Sequence, residues 1–499
     1  MFVLFLLGLN ACVKKKKHSD MGKILAVKYK NHVFNQMDPE EFSVVFQQML
    51  IEKKQLMTNP KLISAYYQQH DFDPVFVLKH LPKNEIQLAE SYYLKAAEHG
   101  LDPKMFQVAE AEALLQNIAD TNRITTKEVA YKTIAELEIV TANSLINYSN
   151  ALQFGVISPK KIYARYFTDT KRPDSLSMSH VLGVQNIQGF LDSIQPKNPQ
   201  YLALQKALEN GEIAPGRTKE ETQRILKVNL ERLRWKNKPT GVRYVVVNIP
   251  NYGLKVIDHD TVALRMKVCV GEGRNKMDSA KNLSAYTDGV KVQDVPFSRE
   301  TPQLNSEINS VQVNPIWNIP QSIASNEIMV QAAADRYYLS NKNINVYEKG
   351  KKIENPETIN WAAESRTSRK YTFKQQSGVG NALGKIKFLF PNKSSVYLHD
   401  TPAKAAFGYT MRAVSHGCVR LEHPLELAHT LFGDGSQFEQ IEKDMQDSIP
   451  KARYLSLPQK VPVYITYITC WFENGRLIFK PDVYGLDTVL YTHIQKMLS

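Results

Sequence analysis

Tyr397-Leu398-His399-Asp400-Thr401-Pro402, followed by Ser415-His416-Gly417-Cys418-Val419-Arg420-Leu421, is the stretch on which the fold of this chain turns. A thiol is a useful nucleophile near neutral pH only with a base close by, and His is the usual one. Cys418 follows His399 by nineteen positions, enough for a strand end and a returning loop to bring the two together. Gly417, just before the thiol, permits close substrate approach and an unusual backbone conformation. Backbone N–H groups around Gly417 and Cys418 could then face a developing oxyanion. Against this stands the plain alternative that most cysteines with a distant His are small buried side chains. Asp400, ahead of Thr401-Pro402, reads as a turn residue.

Outward from that stretch the texture is β. Tyr244 to Ile249 and Thr261 to Val270 are β-branched runs, and Val463 to Glu473 meets Arg476 to Lys480 across Asn474-Gly475, a preferred two-residue turn pair. Between about 321 and 380 lies a polar stretch without clear strand alternation, read as an insertion or lid over the β core. Residues from about 20 to 240 are helical in pattern. Asn84 to His99 has helical apolar spacing with Gly100 as a stop, and Asp102-Pro103 opens the next helix. Thr125-x-x-Glu128 is a capping-box pattern ahead of a long helix ended by Gly155, and a further amphipathic helix covers about 217 to 235. At 499 residues the chain is too long for one ordinary core. The expectation is an α+β multidomain protein. Residues 1–12 form an export signal, 13–240 a helical scaffold domain, and 241–499 a β-rich catalytic domain carrying the inserted lid.

Ser-His-Gly-Cys-Val-Arg at 415–420, preceded by His399, resembles the signature of the L,D-transpeptidase family with its YkuD-type catalytic domain. The likeness extends to Asn381 through Phe388, Phe390-Pro391-Asn392, Arg299 through Pro302, Asn314 through Trp317 and Phe479 through Gly485, and covers most of the chain after about residue 85. The resemblance implies a cysteine acyltransferase. Cys418 would attack the third residue of a peptidoglycan tetrapeptide stem, expel the terminal D-alanine and form a thioester. His399 would be general base and acid, and an amine of a second stem would complete the cross-link. Ser415 and His416 would orient the site, Gly417 would belong to the oxyanion region, and Arg420 would be structural or would attract a substrate carboxylate. Transfer rather than hydrolysis requires a site that excludes water and holds the acceptor. Three rivals stay open: a carboxypeptidase or endopeptidase using the same Cys and His, a non-catalytic peptidoglycan-holding protein, and attachment of an envelope protein to the wall. Two departures stand out. The Leu-Gln and Asp-Gly-x-Phe-Gly strings of the family's small peptidoglycan-binding module are missing around 200 to 230, and residues 272–298 are inserted.

Phe2 to Leu9 is apolar and runs into Leu9-Asn10-Ala11-Cys12, which resembles a bacterial lipobox. It implies lipidation at Cys12, a membrane anchor, and a periplasmic or cell-envelope location. Lys14 to Lys17 would then sit by lipid headgroups. The other basic residues behind the net charge of +13 are scattered, without the motifs of a nucleic-acid binder, and fit a surface facing an anionic envelope polymer. Four cysteines, Cys12, Cys269, Cys418 and Cys470, make no disulfide framework, and Cys269 and Cys470 read as buried thiols that an oxidising compartment could pair. Nothing has metal-ligand spacing, no cofactor is implied, and His423 and His429 carry no assigned role.

Overall fold

In the helix Lys127–Phe154 nearly every side chain from Ile134 onward is buried, so this helix is the post around which the others pack. The computed structural model describes residues 20–237, 239, 241–273, 299–365 and 369–497. The segment 1–12 with Cys12, and all but the first two residues of the 272–298 insertion, lie outside them. The chain divides into two units, one of residues 1–156, 171–236 and 494–499, the other of 157–170 and 237–493.

The first unit is helical. The cap of its central helix is Thr126, whose hydroxyl accepts from the Val129 N–H, so the capping-box reading at Thr125 was one residue early and Glu128 is not the reciprocal partner. Gly155 ends that helix with φ +73°, and a Cβ there would lie 2.4 Å from Glu231 Oε1. The Glu85–Leu94 helix tightens into a 3₁₀ turn before Gly100, and Asp102 caps another short 3₁₀ turn, Pro103–Phe106, ahead of the helix Val108–Ala119. The helix Lys219–Arg234 starts from a reciprocal capping box between Thr218 and Glu221.

The second unit is β-rich. Its strands are β1 (Tyr166–Phe167), β2 (Arg243–Asn248), β3 (Gly253–Asp258), β4 (Thr261–Gly271), β5 (Gln303–Val313), β6 (Trp317–Asn318), β7 (Ile344–Glu348), β8 (Lys351–Lys352), β9 (Tyr371–Gln375), β10 (Ile386–Leu389), β11 (Leu398–His399), β12 (Ala413–Ser415), β13 (Val419–Leu421), β14 (Arg453–Thr466), β15 (Cys470–Glu473) and β16 (Arg476–Phe479). The main sheet has ten strands in the order β1-β5-β10-β11-β13-β4-β3-β2-β14, with β12 beside β4, and β14 also pairs with β5, so the pairings close on themselves. β1 joins this sheet parallel to β5, which draws residues 157–170 out of the span read as helical. A two-residue strand is too short for its periodicity to register in sequence.

The expected hairpin forms across Asn474 and Gly475, both with positive φ, but as a separate pair of β15 and β16. Val463 to Thr466 belongs instead to β14, between β2 and β5. The stretch 321–380 is not strandless. β6, β9, β7 and β8 form their own sheet over a core of Trp361, Tyr371, Phe373, Ile344, Val346 and Leu339. These strands run two to five residues between polar turns, which hides their alternation.

Candidate active site

The register of the main sheet builds the site. Leu455, Val311, Phe388, Leu398 and Val419 stand opposite one another in adjacent strands and turn one way. One step along, Tyr454, Gln312, Lys387, His399, Arg420 and Cys269 form the next row and turn the other way. β11 and β13 are parallel, with Leu398 opposite Val419 and His399 opposite Arg420, and the Val419 N–H donates to the Tyr397 carbonyl. Continuing that register by one residue sets Cys418 beside Tyr397, on the face that carries His399. Cys418 and His399 are thus diagonal neighbours, with Cβ atoms roughly 7 Å apart by strand geometry. No hydrogen bond joins them among the described residues, a spacing that substrate-free sites often show.

The loop before Cys418 is held from several sides. Gly417 has φ +113°, in the region that favours glycine, and its N–H donates to the Ser415 hydroxyl at 3.2 Å. Ser415 Oγ donates in turn to the Cys418 carbonyl at 2.5 Å. The buried Thr301 hydroxyl donates to the Gly417 carbonyl and accepts from the Gly271 N–H, both at 2.8 Å. The Tyr484 hydroxyl donates to the Gly271 carbonyl and accepts from the Thr301 N–H. Gly417 therefore spends its N–H on Ser415, whereas the Cys418 N–H has no acceptor among the described residues.

His399 is buried, and its Nδ1 meets the Asp400 carbonyl oxygen at 2.5 Å. Burial, opposed by that carbonyl, pushes its pKa down to about 4, so the imidazole is neutral at pH 7. Asp400 is more than a turn residue. Its buried carboxylate accepts from the Lys385 N–H and from Lys404 Nζ, and Gly384 approaches so closely that a Cβ there would lie 2.3 Å from Oδ2. Cys418 is half-buried. Burial holds its thiol above the ordinary range, only partly opposed by the Tyr397 backbone amide, the Lys387 ammonium and the Arg420 guanidinium. His416 is exposed and turned away toward the rim, where its Nε2 meets Glu327 Oε1 at 2.6 Å, and Arg299 binds that oxygen and Glu272. Arg420 is half-buried, with no hydrogen-bond or carboxylate partner among the described residues.

Lys387, Gln312 and Glu327 had no role assigned from sequence. Lys387 stands between two core-facing residues, Ile386 and Phe388, and that alternation is the signal that could have marked it. Cys269 and Cys470 are both buried, and no disulfide joins them to each other. Among the described residues no group of His, Cys, Asp and Glu could hold a metal ion.

One unit is helical, and the other is a mixed β unit whose sheet face carries Cys418 and His399. Residues 242–434 match the L,D-transpeptidase catalytic domain (YkuD) and residues 61–208 match the Scaffold domain, so the chain carries both. It is similar to a Haemophilus influenzae protein described as a "Putative L,D-transpeptidase", 28% identical over 299 residues that make up 60% of this chain. The matched part spans 55% of that relative's length.

Proposed function

We propose that this protein is a peptidoglycan L,D-transpeptidase that links third residues of stem peptides through a thioester on Cys418. The observation that carries the reading is the register of β11 and β13, which brings Cys418 and His399 to one face beside an open Cys418 N–H. Sγ attacks the third-residue carbonyl as the neutral imidazole takes the thiol proton. The tetrahedral oxygen receives the Cys418 N–H. Imidazolium returns the proton to the departing D-alanine amine, and the C–N bond breaks. An acceptor amine then attacks the thioester, His399 takes its proton, and Cys418 leaves as the thiol. Residues 317–375, tied to the nucleophile loop through Glu327 and His416, are suited to excluding water during this second step. The same reading includes export, lipidation at Cys12 and action in the periplasmic cell envelope.

Incubation of disaccharide-tetrapeptides with wild-type protein and Cys418→Ala, followed by mass spectrometry, tests it. Cross-linked dimers lacking one D-alanine are expected with wild type alone. Tripeptides without dimers would assign the site to hydrolysis. Unchanged tetrapeptides would sink the stem-acceptor reading and leave protein attachment or a non-catalytic role.

A further inference from the structure

Lys387 is a half-buried cation in the middle of the site row, directly between Gln312 on β5 and His399 on β11. Its Nζ lies 5.1 Å from the centre of the Tyr397 ring, a neutral partner. On the other side Gln312 is buried, and its Oε1 has no hydrogen-bond partner among the described residues. No carboxylate pairs with Lys387 among the described residues. This separates it from its neighbours, since Lys385 is fixed on the Met445 carbonyl and Lys404 on Asp400. A desolvated ammonium without an anion is costly, and proteins keep one where an anion forms during function. The group that can become anionic within its field is Cys418, and each of the two favours the charged form of the other.

We propose that Lys387 is a positioning residue of this site, whose ammonium is the counter-charge to the Cys418 thiolate that forms as His399 takes the thiol proton. The inference rests on Cys418 being the nucleophile and goes beyond the pairing with His399. Neutral His399 accepts a proton but supplies no positive charge to the resting site. Among the described residues, the other groups facing this side of the sheet are Tyr454 on β14, Tyr397 just before β11, Arg420 on β13 and Cys269 on β4, with His416, Glu327 and Arg299 at the rim. Of these Arg420 is a second cation toward Cys418, and its pull ranks after that of Lys387.

The test is the pH dependence of Cys418 alkylation by iodoacetamide in the full-length protein, followed on the Cys418 peptide by mass spectrometry. The step forms an S–C bond from the thiolate and releases iodide, and it needs no peptidoglycan. Lys387→Met is expected to move the midpoint up by about one pH unit and to slow alkylation at pH 7 roughly tenfold. Lys387→Arg is expected to stay near wild type. Should Lys387→Met lose its native circular dichroism, Lys387→Gln takes its place. A wild-type titration in the folded neutral variant, or an arginine variant that titrates like methionine, overturns the proposal. Failure to cross-link stems with an intact lysine-dependent titration would count against the proposed function and leave this inference standing.

Discussion

Thr301 holds the Cys418 loop with one hydroxyl, giving its proton to the Gly417 carbonyl and accepting the Gly271 N–H. Valine has nearly the same shape and neither capacity, so Thr301→Val leaves a buried N–H and a buried carbonyl unpaired. The expected loss is about 2–4 kcal/mol of stability in the β unit, with slower Cys418 alkylation because the loop no longer fixes Gly417. Thermal melting and alkylation rate check it, and an unchanged melt would mean that water replaces the hydroxyl. Gly384 makes a second demand at this scale. Its φ of +61° and its closeness to Asp400 Oδ2 leave no room for a Cβ. Gly384→Ala should therefore cost roughly 1–3 kcal/mol and disturb the Asp400 carboxylate beside His399. A melting temperature equal to wild type would show that the Asp400 loop moves aside freely.

At the scale of elements, the central helix distinguishes a pattern from a contact. Thr125 and Thr126 are adjacent, and the spacing to Glu128 favours the first, but the backbone leaves the helix at Thr126. Thr126→Ala should cost the helical unit about 0.5–2 kcal/mol, while Thr125→Ala should stay within about 0.5 kcal/mol. Urea unfolding of both variants decides, and equal losses would refute the cap assignment. The same contrast explains what could be read in advance. Cys418 and His399 could be picked out as candidates because Ser-His-Gly-Cys-Val-Arg with an upstream His resembles a family signature, whereas a thiol and a distant imidazole alone would not have marked them. The β texture was legible where β-branched runs exceed five residues, as in β2 and β4. Lys387, Gln312 and Glu327 were not, because their chemistry exists only once three strands are in register or a distant turn packs against the rim. The sheet of residues 317–375 was hidden for a related reason, since strands of two to five residues acquire their alternation from partners rather than from their own length.

At the scale of the whole chain, the two units carry different titrating groups and so should respond differently to pH. The carboxyls pushed up to about 7 by burial are, among the described residues, Glu90 and Glu138, both in the helical unit. Glu138 accepts the Phe76 and Val77 N–H groups from within the core and resists charging there. A carboxyl raised in the folded state stabilises it fully below the unfolded value of 4.5, and that contribution is lost as pH climbs through 7. For Glu138 the loss between pH 5 and 8 is on the order of 3 kcal/mol. His99, pushed down to about 4 by burial in the same unit, works from the other side: its contribution is present above 6.5 and fades as pH falls toward 4. Stability of the helical unit should therefore peak near pH 6. In the β unit His399 adds the same acid-side weakness, and neither Glu90 nor Glu138 belongs to it, so the erosion those two bring between pH 6 and 8 is confined to the helical unit. Pulse proteolysis in urea at pH 6 and pH 8, with fragments assigned to each unit by mass, should show the midpoint of the helical unit falling at the higher pH while that of the β unit holds. Glu138→Gln, though less stable at pH 6 because an amide replaces one acceptor oxygen, should flatten the response of the helical unit. Equal shifts in both units, or a helical unit that grows firmer toward pH 8, would show that the buried carboxyl stays charged and that its two backbone donors outweigh its desolvation.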